Sequence, residues 1–237
     1  MPQAVSGAQR WASVLNGAAL TGFIAGPLLA HFHIVPAMVG FVLFNLGALL
    51  GIATLIAALA ALLRGADARV GLATGGLITL AFLALAVSAR NFPRINDITT
   101  DTASAPQFVR AATLDGNLGR DLTYPGPSFA EQQRAGYPEL QPLRMEMPAD
   151  EAFRRVQAAA RQMRGWKITR DDPAAHALEG IATSRLFRFH DDFVVEVRPQ
   201  GNGSVVQMRS KSRDGKGDIG ANAARIKAFF AALTTAR

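Results

Sequence analysis

Charge is distributed along this chain in a way that no single soluble globule allows. Residues 1–90 carry five charged side chains, Arg10, Arg64, Asp67, Arg69 and Arg90, while residues 91–237 carry the other 38, 21 basic and 17 acidic. The chain therefore divides into a transmembrane region, 1–90, and a soluble domain, 91–237. A domain of that length buries on the order of two-thirds of its unfolded surface, enough for a core of its own.

Three apolar runs, about 13–30, 35–63 and 70–89, compare with the roughly 20 residues that a bilayer span needs. Lipid offers backbone amides no partners, so each run is expected to be a helix. Trp11 suits an interfacial anchor. Pro36 suits the first turn of the second helix. Pro27, behind Gly26, is expected to kink or end the first. The first run follows an arginine, but Leu28-Leu29-Ala30 lacks the small-x-small pattern of a signal-peptide cleavage site. With Arg10, Arg64 and Arg69 inside, the soluble domain emerges on the outer side. The reverse arrangement keeps only Arg90 and Arg94 inside. The positive-inside rule thus favours an inner-membrane protein with a periplasmic domain.

The spans hold no acid or base at their centres, which argues against an ion pump or a proton-coupled transporter. Asn45 is expected to hydrogen-bond to a neighbouring helix, and Gly40, Gly47 and Gly51 to form a close-packing face. His31 and His33 flank the first loop with no third ligand nearby, so they read as interfacial residues and no metal site is expected. The absence of cysteine excludes disulfides, thiolate metal sites and cysteine nucleophiles.

In the soluble part, residues 91–147 form a proline-rich lead-in that reads as mostly irregular. A helix follows from Asp150, with Phe153, Val156, Ala160 and Met163 at helical spacing, and Gly165 ends it. Strands are expected at 166–170, at 177–183 and 185–189 as one bent strand or two, and at 193–198. Phe193, Val195 and Val197 alternate there, and Pro199–Gly203 turns the chain into a return strand at 204–210. Ile219, Ala223, Ile226, Phe230 and Leu233 form the apolar stripe of a last helix. The expected fold class is α+β: three N-terminal transmembrane helices, then an antiparallel sheet with two packed helices. One sheet face is expected to be solvated, and a helix-grip closure is one arrangement.

The densest polar cluster is Arg209-Ser210-Lys211-Ser212-Arg213 through Asp218, running from a strand end into a helix start. Helix N-termini attract anions, which makes this a candidate site for a phosphate, a carboxylate or a lipid headgroup. Asp218 competes as the N-cap of that helix. Asn222 and Arg225 flank the apolar stripe and are expected to tie the helix to the proline-rich segment. No P-loop fits, since Ser210 stands where the first glycine belongs and Gly217 follows Lys216. Asp115-x-Asn117-x-Gly119-x-Asp121 fails as a calcium loop at Arg120 and Gly126. The pairs Asp171-Asp172 and Asp191-Asp192 read as solvated turns. His176 and His190 have no serine elbow, and Gly-x-Ser-x-Gly is absent. The high isoelectric point, about 10.7, does not make a nucleic-acid binder, because the charges are interspersed and no aromatic-basic motif occurs.

Two segments resemble the domain of unknown function 1499 family. One is Phe92-Pro93-Arg94-Ile95-Asn96-Asp97-Ile98-Thr99-Thr100-Asp101, with Pro106 and Phe108 after it. The more specific is Arg209-Ser210-Lys211-Ser212-Arg213-x-Gly215-x-x-Asp218-x-Gly220-x-Asn222-x-x-Arg225-Ile226. Tyr137-Pro138 lies between them. The resemblance covers about 92–235 and implies an envelope-type protein of bacteria or plastids, with no assigned activity and no cofactor. Many members open on an Asn-Cys-type segment, and this chain lacks that cysteine. The paired segments suggest a joint site in which Asp97, Thr99, Thr100 and Asp101 meet Arg209, Arg213 and Arg225. The expected function is a non-enzymatic module binding a lipid, an anionic small molecule or a membrane-protein partner. The alternatives are an interaction subunit of a membrane complex and a hydrolase.

Overall fold

A computed structural model describes residues 7–235, with side chains from residue 11 onward, and the contacts divide into two compact units, Met1–Asn91 with Arg185–Arg188, and Phe92–Ser184 with Phe189–Arg237. The side chain of Arg10, on which the orientation count draws, lies outside the described residues.

The first unit is three helices, α1 (Gly7–His31), α2 (Ala37–Leu63) and α3 (Arg69–Ala89), each long and apolar enough to cross a membrane. Pro27 does not end α1, which continues to His31. Neighbouring helices in lipid tolerate such a proline by close approach. Gly26 beside it supplies that approach, for a Cβ there would lie 2.5 Å from the Gly40 carbonyl oxygen of α2. Pro36 stands one position before α2, as its N-cap residue. The glycines of α2 serve two partners: a Cβ on Gly47 would come within 2.2 Å of the Phe23 backbone in α1, and one on Gly51 within 2.4 Å of Ile78 in α3. Small residues let the backbones meet where side chains would hold them apart. Asn45 departs from expectation: its amide donates to the Phe41 carbonyl of its own helix, at 2.7 Å. A polar link between helices is made instead by the Thr74 hydroxyl and the Asn16 side-chain oxygen.

The second unit contains a six-stranded antiparallel sheet. Its strands are β1 (Asp97–Thr99), β2 (Leu143–Met145), β3 (Trp166–Asp172), β4 (Ala177–Thr183), β5 (His190–Gln200) and β6 (Gly203–Ser212). The order is β1-β6-β5-β4-β3, with β2 also on β6. Strands β3 to β6 form a meander, and the hairpin turn at 201–202 joins β5 to β6. Residues 185–188 lie between β4 and β5 rather than in a strand.

Helices α5 (Ala149–Gln162) and α6 (Ala221–Thr235) cover one sheet face. Phe193, Val195 and Val197 of β5, with Val206 and Met208 of β6, meet Phe153, Val156, Ile226, Phe229 and Leu233 there. Trp166 lies over Phe193, with ring centroids 3.9 Å apart, and Phe229 lies beyond it at 5.1 Å. Aromatic rings thus fill the middle of the layer where a ligand would sit in a hollow helix-grip fold.

The other face is not solvated. Val194 of β5 is fully buried beneath Phe108 and Ala111 of the lead-in. The lead-in is also less irregular than its prolines suggest. It holds β1, β2, two short 3-10 turns at Ala111–Thr113 and Asp115–Asn117, and helix α4 (Pro127–Gly136). Pro127 occupies the first helical position, where its fixed φ and missing N–H cost nothing.

Candidate functional site

The polar cluster is built by strand pairing. Register places Asp97 opposite Lys211, Ile98 opposite Ser210 and Thr99 opposite Arg209. Side chains alternate along β6, so Arg209 and Lys211 point to the lead-in face, and Ser210 and Ser212 point towards α6. The two family-like segments are thus neighbours in the sheet.

On the lead-in face three carboxylates act as hubs. Asp97 accepts both Nε and Nη2 of Arg209 at 2.8 Å and Nζ of Lys211 at 2.8 Å. Arg209 spends two further donors on the carbonyls of Pro106 and Leu122, and its guanidinium lies 4.7 Å from the Phe108 ring centre. Asp192 accepts Nε of Arg213 at 3.0 Å, Nη2 of Arg213 at 2.6 Å and the Asn117 amide at 2.9 Å. Glu179 accepts the backbone N–H groups of Val109, Arg110 and Ala111, and Nη1 of Arg170. Buried charges persist only when paired and hydrogen-bonded, and each of these is.

On the α6 face the fourth hub is Asp191, which accepts Nη2 of Arg225. Arg225 also donates to Ser210 at 2.7 Å. Asn222, fully buried, accepts the Ser210 hydroxyl at 2.7 Å and donates to Ser212 at 2.9 Å and to the Asn96 carbonyl at 3.2 Å. Asp218 accepts the N–H groups of Gly220 and Asn222 at 2.9 and 2.8 Å, and so caps α6. Burial raises its carboxyl above the usual range, and those two backbone donors oppose the shift.

Of the residues singled out from sequence, Asp97 meets Arg209 and Lys211 but not Arg213 or Arg225, which serve Asp192 and Asp191. Thr100 accepts the Met208 N–H at 3.0 Å, and Asp101 accepts the Gln207 amide at 2.9 Å. Thr99 is paired at the strand edge by a side chain: Gln133 of α4 accepts its N–H at 3.0 Å and donates to its carbonyl at 2.6 Å, as a further strand would. Tyr124 donates to the same Gln133 oxygen at 3.1 Å. Burial, then the charge on Asp97, pushes the Tyr124 hydroxyl up to about 12.

Asp191 and Asp192 are the main correction to the sequence reading, because both are buried in β5 rather than solvated in a turn. Glu179, Asn117, Arg170 and Gln133 were also not foreseen. The available signal was Arg209, Lys211 and Arg213 at a spacing of two, a charged face on a strand that demands acids on its neighbours. Asp171 and Asp172 are partly exposed and pair with Arg161 and Arg170. A depression of about 410 Å³ lies elsewhere, between the start of α5 and the hairpin turn. His176 borders it, with Nε2 2.6 Å from Asp150.

The cluster can therefore hold the chain together at four points, each a carboxylate taken up by groups of the fold itself. Arg94 and Lys216 are its neighbours without an ion pair among the described residues. No curated protein matches the chain. A family described as protein of unknown function, DUF1499, matches residues 97–233, from the first residue of β1 into α6. The match spans more than half of the sequence, with the first polar segment from Asp97 onward and the whole of the second, and the chain belongs to the DUF1499 family.

Proposed function

We propose that the protein is a membrane-tethered recognition module, without catalysis, in which a rigid α+β platform presents its surface to a membrane partner. The observation that supports this is the state of the charged cluster. Asp97 and Asp192 already stand as the anions that Arg209, Lys211 and Arg213 bind, in the place that an external anion would have to take. Asp218 likewise takes up the N–H groups at the start of α6 that an anion would use. The arginine count favours a periplasmic placement in an inner membrane, which belongs to the same proposal.

The test uses the full chain in lipid nanodiscs. Inorganic phosphate is titrated while thermal unfolding is followed, in the native chain and in Arg213→Ala. The expected result is no saturable stabilisation in either. A saturable stabilisation lost in Arg213→Ala would replace recognition by surface with an anion site at the strand-to-helix turn. Photocross-linking in the native membrane is then expected to give a discrete adduct with another membrane protein. Placement is read by labelling of Asn202→Cys from outside intact cells.

A further inference from the structure

We propose that one end of the sheet unit is a lipid-docking surface, seated in the interfacial zone of the bilayer that carries the spans. Ile219 and Leu118 are its insertion points. Four large apolar side chains of this unit are exposed: Phe92, Val109, Leu118 and Ile219. Three of them share one end. Asp97 at the start of β1 pairs with Lys211 near the end of β6, so the segments 92–96 and 213–220 leave the sheet side by side. Phe92 lies under Gly220, where a Cβ would come within 2.5 Å of its ring, which sets Ile219 next to Phe92. The 116–120 loop joins them, since Arg120 donates to the Ser212 carbonyl at 2.9 Å and Gly116 abuts Arg213. Val109 is different, being held over the middle of the sheet by Glu179.

Chain length commits this end to lipid. Helix α3 has 21 residues, about 31 Å at 1.5 Å per residue, which matches a hydrocarbon core of about 30 Å. Phe92 follows Ala89 by three residues, so it lies within about 11 Å of the end of the span. Interfacial apolar groups sit about 5–10 Å into the headgroup boundary, a depth of the same order. Ile219 adds a second argument. It has φ of +51°, a left-handed conformation that a β-branched residue adopts only under constraint, and it is 58% exposed. This conformation holds the side chain outward with more than half of the residue's surface uncovered. Arg94 packs against Gly217, next to Lys216, and Asp115 and Asp214 adjoin the contact of Gly116 with Arg213, so the charges at this end are mixed and apolar insertion, not bulk attraction to anionic lipid, is the main contribution. The inference does not rest on the recognition reading, since an enzyme could dock in the same way.

The chain lacks cysteine, so single-cysteine variants can be labelled cleanly. Ile219→Cys, Leu118→Cys and Asn202→Cys in the full chain are labelled with an environment-sensitive fluorophore and reconstituted in phosphatidylcholine–phosphatidylglycerol vesicles. Asn202 is exposed in the hairpin turn at the opposite end of β6, about 30 Å away. Nitroxide-bearing lipids are expected to quench the labels at 219 and 118 several-fold more than the label at 202, and aqueous iodide the reverse. Equal lipid quenching at the three positions would overturn the proposal. Shielding from iodide without lipid quenching would also overturn it, in favour of a protein or a second copy on this surface. Near-ultraviolet circular dichroism checks each fold, and Leu118→Cys, outside the strained turn, decides the question if the 219 variant misfolds.

Discussion

Arg209 and Asp97, 112 residues apart in sequence, form a two-pronged ion pair with both contacts at 2.8 Å and neither side chain exposed to solvent. The pair joins the strand that opens the domain to the strand that closes the meander. Removing one partner of a buried pair leaves the other charge uncompensated and costs about 3–5 kcal/mol. Asp97→Ala is expected to be the more damaging single change, because it strands Lys211 as well as Arg209. Replacing the pair by apolar residues of similar volume removes the stranded guanidinium and leaves only Lys211 without its carboxylate. Asp97→Leu with Arg209→Met is therefore expected to cost less than the sum of the two single changes, by about 0.5–3 kcal/mol of coupling. Urea unfolding of the full chain in detergent, followed by near-ultraviolet circular dichroism, measures the cycle. Additive losses would show that the two side chains act independently.

Glu179 makes a prediction about the lead-in rather than the sheet. Its carboxylate accepts three consecutive N–H groups, from Val109, Arg110 and Ala111, and anchors the segment that covers Val194. Glu179→Gln keeps the shape and one acceptor oxygen but puts an amide NH2 in place of the other, at a cost of about 1–3 kcal/mol for the donors left unsatisfied. Amide hydrogen exchange at 109–111 is expected to accelerate while β5 and β6 stay protected. Unchanged exchange at 109–111 would mean that the segment is held by other contacts.

The same residues show where sequence reasoning reaches its limit. The alternation of Phe193, Val195 and Val197 made β5 and its hairpin legible, because one strand face carries the whole signal at a period of two. The stripe of α6 was legible for the matching reason at helical spacing. The second face of the sheet was not. Its cover is a loop rather than a helix, and its inward groups are Asp192, Glu179 and Arg209, which read as solvent-facing until their partners are placed. Those partners lie 9 to 112 positions away, and local pattern carries no information on such pairings. Both family-like segments were legible as motifs. That they are neighbouring strands, each satisfied by the other and by β5, was a matter of register.

The two tyrosines predict the behaviour of the domain in alkali. Burial pushes both Tyr124 and Tyr137 up to about 12, from an ordinary value of 10.0. A raised folded-state value favours the neutral phenol in the fold, so the stability this contributes is fully present below pH 10 and is lost as pH rises from 10 towards 12. These are the only tyrosines in the sequence, so tyrosinate absorbance reports on them alone. In the folded protein the absorbance is expected to rise near pH 12, and in urea near pH 10. Tyr124→Phe is expected to remove half of the delayed signal and to leave its Gln133 partner able to pair with Thr99. Titration of the folded protein at pH 10 would show that the ring environments are open to water.

Gly180 tests the aromatic layer directly. It pairs with Phe193 across β4 and β5, and a Cβ at Gly180 would lie 2.4 Å from the Phe193 ring and 2.7 Å from the Lys167 carbonyl. The glycine thus leaves the space that the ring occupies, and the ring in turn covers the bare backbone. Gly180→Ala is expected to destabilise the domain by about 1–3 kcal/mol, the usual cost of overpacking. Trp166, stacked on Phe193, reports the displacement through a shift in its fluorescence, above a constant background from Trp11 in the other unit. Phe193→Leu alone is also expected to destabilise, by loss of ring contacts with Trp166. If steric conflict with the ring is the cause, Gly180→Ala costs less in the Phe193→Leu background than in the native chain. An equal cost in both backgrounds would assign the effect to the Lys167 carbonyl, and hence to the β3–β4 pairing rather than to the aromatic layer.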